Sequence, residues 1–309
     1  MGIVVFGATF VDIKGYPLAQ YIPAGRNVGR VIQVHGGVSR NVAEDIANVE
    51  LNPTFVTVLD DSGISTDVLE KLQRHKVNTD YIARSKDGLG SWLAIFDNNG
   101  DVIASISKRP DLSPLEGILE ESGDKIISEC DSIVVEIDME VNLLKIIFEL
   151  AEKYHKAIYA VVSNMSIAME RRDLIQKVDC LVCNEQEAGQ LFSEEYDGKS
   201  LEELREVLIR KITSANIPRM VVTLGDQGAI YADLNGESGI VPAQKTDVID
   251  TTGAGDSFFA GIAIGLTYGK TLEESCVIGT RLASSVISTK ENVCPRFLPE
   301  EFDLKYPLQ

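Results

Sequence analysis

Apolar residues in this chain follow two spacings. Residues 2–6, 55–59, 132–137, 157–162, 180–183 and 220–224 are short apolar runs and predict buried strands. Residues 38–49 place Val38, Val42, Ile46 and Val49 at helical spacing. Further helices are predicted over 68–75, 141–154, 185–192, 201–212, 254–268 and 272–288, with a hairpin-like segment at 229–242. Strand and helix alternate from residue 132 onward, so the expected fold class is α/β, a mostly parallel sheet covered on both faces. Two segments, about 12–35 and 90–110, break that alternation. Both are strand-rich. Residues 91–96 and 102–106 flank a turn with Asn99-Gly100, a strong hairpin signal. Paired together, the two segments would make a small separate sheet, suited to a lid over a cleft and to a dimer contact.

Length and charge narrow the picture. A chain of 309 residues fits one large domain, 1–309, with that sheet as its appendage. The net charge of −18 argues against nucleic acid or a membrane surface as partner. An anionic ligand must therefore find local positive potential, from backbone N–H groups, a helix N-terminus or a metal. Cys180 and Cys183 are spaced as C-x-x-C but lie in an apolar run that reads as a strand. Residues 1–10 read as a strand rather than a signal peptide, and no run approaches a membrane span. A reducing cytoplasm is the expected location.

Three motifs carry chemistry. In Asp250-Thr251-Thr252-Gly253-Ala254-Gly255-Asp256, two glycines let the backbone turn where a helix begins. Exposed N–H groups and the positive helix end make an anion hole suited to a phosphoryl group. Asp256, in the first helical turn, can accept the proton of an attacking hydroxyl; the plainer alternative is a carboxylate serving the helix dipole. The spacing is neither a Walker A loop nor G-x-G-x-x-G. In His35-Gly36-Gly37-Val38-Ser39-Arg40-Asn41, the glycines permit close approach to a ligand. Asn41 can bond a substrate hydroxyl or simply be solvated. Asn184 and Glu187 share one helix face, either as a variant capping box or as a magnesium site. Glu136 and Asp138 end a strand at its carboxyl end, and are either pocket residues or solvated. Lys108 and Arg109 end a strand of the small sheet, where they could meet a phosphate.

Residues 250–256 match the signature of the ribokinase-like (PfkB) carbohydrate kinases, and the chain resembles that family along nearly its whole length. The resemblance implies a three-layer α/β/α fold with a β-sheet lid, ATP as phosphoryl donor, Mg²⁺, and transfer to a hydroxyl of a sugar or nucleoside. It implies Asp256 as base, with Gly253, Ala254 and Gly255 completing the anion hole. Asp12, Gly36, Gly37 and Asn41 would hold the substrate, aided by Glu136 and Asp138. Asn184 and Glu187 would organise Mg²⁺, and Thr223, Gly225, Gly228 and Thr252 would join Asn184 around ATP. It also implies a homodimer through the lid, and room for K⁺ near Asp250, Thr252 and residues 288–294, although Glu291-Asn292-Val293 departs from the usual pattern there.

Within the family the resemblance is greatest to pseudouridine kinases. It rests on residues 11–16, on Arg40 before Asn41, on residues 91–100 and on Gly236-Glu237-Ser238-Gly239. Pseudouridine is thus the first expected substrate, with ribose, a ketose acid, a sugar phosphate or another nucleoside as alternatives. Ser107-Lys108-Arg109 departs from the pseudouridine kinase pattern and would suit a phosphorylated or acidic sugar. A non-catalytic ligand-binding regulator is the alternative of another class; the presence of Asp256, Asn184 and Glu187 argues against it.

Overall fold

A computed structural model describes residues 2–98, 101–196 and 198–307. The Asn99-Gly100 turn lies outside the described residues. The chain runs through β1 (Val4–Phe6), β2 (Phe10–Pro17), β3 (Gly29–Gly36), α1 (Val38–Asn48), β4 (Thr54–Leu59), α2 (Gly63–Arg74), β5 (Ile82–Arg84), β6 (Gly90–Phe96) and β7 (Val102–Lys108). It continues through α3 (Leu115–Glu129), β8 (Ile133–Glu136), α4 (Val141–Tyr154), β9 (Ile158–Val161), α5 (Met165–Ala168), α6 (Arg172–Ile175), β10 (Cys180–Asn184) and α7 (Glu185–Phe192). It closes with α8 (Leu201–Ala215), β11 (Arg219–Thr223), β12 (Ala229–Asp233), β13 (Ser238–Val241), α9 (Ala254–Thr267) and α10 (Leu272–Ile287).

The large sheet has nine strands in the order β13-β12-β11-β10-β9-β8-β1-β4-β5. All pairs from β11 to β5 are parallel, and β12 and β13 add an antiparallel edge. Alternate side chains feed two cores. Val4, Phe6, Ile133 and Val135 pack with α3, α4 and α8, while Val5, Val134 and Phe55 pack with α1, α2, α9 and α10. Continuous apolar runs are what a sheet buried on both faces requires, and the result is a three-layer α/β/α fold. Cys180 and Cys183 take buried positions in β10.

The second sheet has four strands in the order β3-β2-β6-β7. It gathers the two segments that broke the alternation. Strand β2 pairs antiparallel with β3 and parallel with β6, and β6 and β7 form an antiparallel pair. Asp12, Lys14 and Tyr16 alternate onto one face, with Trp92 opposite Asp12.

Helix α3 has no counterpart in the sequence expectation. Its buried stripe runs Leu115, Leu119, Gly123 and Ile126. The glycine at the stripe's centre masks the apolar period. A Cβ there would press against Leu150 Cδ1 of α4 at 2.8 Å, so α3 and α4 approach closely at this point. Helix α2 starts earlier than its apolar positions indicate, because Ser62 caps it through the Ser65 N–H. No described helix is long and apolar enough to cross a membrane.

Candidate active site

The carboxyl ends of the parallel strands form one edge, where the chain leaves each strand and polar groups can be exposed. Two helix entries bring motifs to that edge. Gly37 precedes α1 with φ 99°, a conformation that favours glycine, and a Cβ there would come within 2.8 Å of the Ala8 carbonyl oxygen. Helix α1 can therefore enter tightly beside β1. Gly253 precedes α9 with φ 83°, and a Cβ there would collide with the carbonyl oxygen of Asn292. The start of α9 is thus pressed against residues 292–294.

These entries bring Asn41 and Asp256 together. Asn41 Nδ2 donates to Asp256 Oδ2 at 2.6 Å across 215 residues of sequence. Asn41 Oδ1 is buried and has no protein partner. Burial pushes the Asp256 carboxyl up to about 7; the Asn41 bond opposes this, and the neighbouring Glu136 charge adds to it. Asp12 is also raised by burial, with Lys14 pulling the other way. A Cβ on Gly36 would overlap the Asp12 carboxylate, so Asp12 lies directly over the glycine pair.

At the anion loop, Thr252 N–H donates to Asp250 Oδ1 at 2.9 Å. Ser257 N–H begins the helical ladder by donating to the Gly253 carbonyl. The first N–H groups of a helix have no intrahelical acceptor, and this leaves those of Gly255 and Asp256 directed outward. The Ala254 N–H is instead turned back onto the Thr251 carbonyl at 3.3 Å, so it is engaged within the loop.

The sequence left Glu136 and Asp138 open between pocket and solvent; both are buried. Glu136 Oε1 accepts from Ser39 Oγ at 2.6 Å and from the Ala8 N–H at 3.2 Å. It fixes the start of α1 from behind the cleft. Burial raises its carboxyl, and Asp138 raises it further. Asp138 accepts from Ser163 Oγ at 2.7 Å and from Arg109 Nη1 at 3.0 Å. Lys108 pairs with Asp87 at 2.8 Å. The basic character read at Lys108 and Arg109 is therefore matched by carboxylates.

Asn184 and Glu187 form a full capping box on α7. Asn184 Oδ1 accepts from the Glu187 N–H at 2.9 Å, and Glu187 Oε2 accepts from the Asn184 N–H at 2.8 Å. Burial raises the Glu187 carboxyl and the nearby Asp138 charge raises it again, while the bonds from Asn184 pull it down. Asn184 and Thr223 are direct partners across β10 and β11. Gly225 and Gly228 follow Thr223 with φ 58° and 96°.

Three sets of contacts lay beyond the sequence reading, which marked Arg40 only as a likeness to pseudouridine kinases. Arg40 is 1% exposed and pairs with the buried Glu44, while donating to the His35 and Gly36 carbonyls. Asp45 accepts from Ser257 Oγ at 2.7 Å and from the Cys294 N–H at 2.6 Å, tying α1 to α9 and to residues 292–294. Lys14 Nζ donates to Thr252 Oγ1 at 3.2 Å, joining the small sheet to the anion loop. Strand alternation from Asp12 is the signal that points to Lys14 and Tyr16; the likeness at Arg40 marked that residue without its contacts, and for Asp45 no local signal exists. On the face of the small sheet that carries Asp12, Phe96 stacks on Tyr16 at 4.8 Å and meets Trp92 edge-on at 6.4 Å.

Comparison with known proteins agrees with this geometry. The chain matches the pfkB family carbohydrate kinase family over residues 2–294. It is 32% identical over 303 residues to a guanosine-inosine kinase of Exiguobacterium acetylicum, covering 97% of this chain and 98% of that one. It is 24% identical over 287 residues to a pseudouridine kinase of Escherichia coli, covering 93% and 90%. Among solved structures, the ribokinase of Arabidopsis thaliana complexed with ribose and ATP superimposes with a TM-score of 0.84 at 19% identity, covering 95% of this chain and 96% of that one. The chain belongs to the PfkB family of carbohydrate kinases and is an ATP-dependent sugar or nucleoside kinase.

Proposed function

We propose that this protein transfers the γ-phosphoryl group of ATP to a hydroxyl of a ribonucleoside. The observation that carries the nucleoside reading is the ring cluster of Trp92, Phe96 and Tyr16 on the sheet face that also bears Asp12. Stacking on a base is favourable and needs such rings, whereas a bare sugar does not. Asp12 offers acceptors in bidentate geometry for ribose hydroxyls. The greater likeness to a guanosine-inosine kinase favours a purine nucleoside. Pseudouridine is the second reading, supported by residues 11–16, Arg40 and the pseudouridine kinase likeness. The pairing of Lys108 and Arg109 with carboxylates weighs against a phosphorylated sugar.

In this reading Asp256 is the base. Asn41 holds one carboxylate oxygen and leaves the other to receive the hydroxyl proton. In a loose phosphoryl-transfer transition state that proton leaves late, so placement matters more than basicity. The outward N–H groups at the start of α9 stabilise the charge on the transferring group. Thr223, Gly225, Gly228 and Thr252 border the nucleotide. Glu187, with Asp138 close by, suits Mg²⁺ through carboxylate and water; bound there, the ion would neutralise phosphate charge. The outer face of the small sheet is the proposed dimer contact.

ADP release from Mg-ATP tests the reading, with inosine, guanosine, pseudouridine, uridine, adenosine, ribose, fructose 6-phosphate and 2-keto-3-deoxygluconate as acceptors. Preference for inosine or guanosine is the expected result. Preference for pseudouridine would keep the mechanism and move the base specificity. Preference for ribose or a sugar acid would sink the nucleoside assignment.

A further inference from the structure

Charge balance around the cleft singles out one cation. Asp12 and Glu136 stand near enough to Asp256 to raise its carboxyl, and Asp250 holds the anion loop through the Thr252 N–H. A chain of net charge −18 supplies no general attraction for an arriving phosphoryl group. Two buried cations stand close. Arg40 is matched by Glu44, which is fully buried beside it. Lys14 is 4% exposed, yet its hydrogen bond goes to the neutral hydroxyl of Thr252. Asp12 and Asp250 flank it near enough to feel its charge. Burying an ammonium costs several kcal/mol, and these two carboxylates offset part of that cost. A link that merely held the small sheet to the loop needs no charge, and a neutral donor would serve.

Position makes the charge useful. Lys14 lies two residues after Asp12 on the same face of β2, so the strand that would grip the acceptor also carries the ammonium. Thr252 lies one residue before Gly253, at the mouth of the anion hole. Lys14, Asp250 and Thr252 border a cleft of about 480 Å³ that Arg30, Lys71 and Lys290 also line, and of these four cations Lys14 is the buried one. An ammonium has three donors, and Thr252 takes one of them. The resemblance to the family leaves room for K⁺ beside Asp250 and Thr252. Here that neighbourhood already holds a fixed positive charge, so a monovalent ion does not fit the site.

We propose that Lys14 is the resident cation of the anion loop: its ammonium offsets the charge of the transferring phosphoryl group and makes turnover independent of K⁺. This rests on the kinase reading above and adds a residue and an ion requirement to it. The test is steady-state kinetics of wild type, Lys14→Met, Lys14→Arg and Thr252→Val, with potassium or tetramethylammonium chloride at equal ionic strength. Thermal unfolding with and without tripolyphosphate supplies a second readout.

For Lys14→Met the expected result is a kcat loss of about 10²-fold with acceptor KM changed by less than about twofold, and partial recovery in Lys14→Arg. Tripolyphosphate should raise the melting temperature of wild type and not of Lys14→Met. The wild-type rate should be the same in both salts. Thr252→Val, which keeps the charge and loses its anchor, should show a smaller kcat loss; it decides the matter if Lys14→Met does not fold. The proposal fails if Lys14→Met turns over like wild type, if Thr252→Val does so when Lys14→Met is unfolded, if both variants bind tripolyphosphate like wild type, or if potassium raises the wild-type rate severalfold. A wild type that phosphorylates no acceptor would instead overturn the kinase reading.

Discussion

Strand β4 of the large sheet is buried at all six positions, whereas β7 of the small sheet is exposed at all seven. The two walls of the cleft thus stand on different foundations. On the large-sheet side, strands are covered on both faces, and the site's polar groups Glu136, Asn184 and Thr223 stand at the carboxyl ends. The small sheet is covered far less: β2 is partly buried and β7 is open along its whole length. The difference teaches where each kind of function belongs. Groups whose placement sets the rate stand on the rigid wall, with Lys14 of the small sheet as the exception proposed above. Groups that select the acceptor stand on the wall that tolerates change. Substitutions should separate accordingly into kcat effects and KM effects.

The sharpest way to break that division is Asp256→Asn. Turnover should fall by about 10²–10⁴-fold while ADP binding, measured by calorimetry, survives. In wild type, kcat/KM should fall about tenfold per pH unit below a midpoint near 7, because burial raises the Asp256 carboxyl to about 7 and the base must be ionised. The same shift has a stability sign. A carboxyl raised in the folded state binds its proton more tightly there than when unfolded, so its contribution to stability is lost as pH rises from about 4 to about 7. Asp256→Asn should therefore be more heat-stable than wild type at pH 8, by about 2–4 °C, and lose that advantage at acid pH. An inactive variant no more stable at pH 8 would mean that the carboxylate sits unstrained.

Next in size is Gly253→Ala. Alanine is disfavoured at φ 83°, and its methyl group would displace the Asn292 carbonyl that walls the loop. A kcat loss of about 10²-fold is expected from a misplaced donor set, with acceptor KM little changed. Trp92→Ala addresses the other wall. It should raise KM for a nucleoside about 10-fold, through lost stacking, and leave kcat nearly intact. If Trp92→Ala instead lowers kcat with KM unchanged, the small sheet shares in rate and the division between the walls fails.

The same contrast explains what was legible in the sequence. Buried parallel strands need continuous apolar runs, and those runs are plain from 55–59 to 220–224. Glycine positions fixed by φ and close approach, Gly37 and Gly253, are equally plain because no other residue fits. Helix α3 was hidden by Gly123, whose role is contact with α4, a long-range fact. The braces of the site were hidden for a related reason. Asp45 reaches Cys294 across 249 residues, and Lys14 reaches Thr252 across 238. A buried carboxylate among the other polar residues of α1 carries no local mark of its partner. The capping box at Asn184 shows the opposite case: its local signal is complete, so sequence alone cannot separate a helix cap from a metal site.

The smallest catalytic effect is expected on the outer face of the small sheet, where the contrast can be sharpened most cleanly. Leu93 and Ile106 are cross-strand partners, 40% and 71% exposed, and Val31 on the same face is 69% exposed. Exposed apolar side chains grouped on a sheet face mark a contact with another molecule. A second copy of this chain is the proposed partner, since a two-fold contact would set the patch against itself. Leu93→Asp with Ile106→Asp should then convert a dimer to a monomer in sedimentation at micromolar concentration, because like carboxylates would face one another across the axis. Turnover should stay within about twofold of wild type, since Leu93 and Ile106 point away from the face that carries Asp12 and Lys14. A wild type that is already monomeric would remove the dimer contact. A monomeric variant with a large kcat loss would mean that pairing of the two sheets holds the cleft in shape, and the outer face would then belong to the catalytic wall.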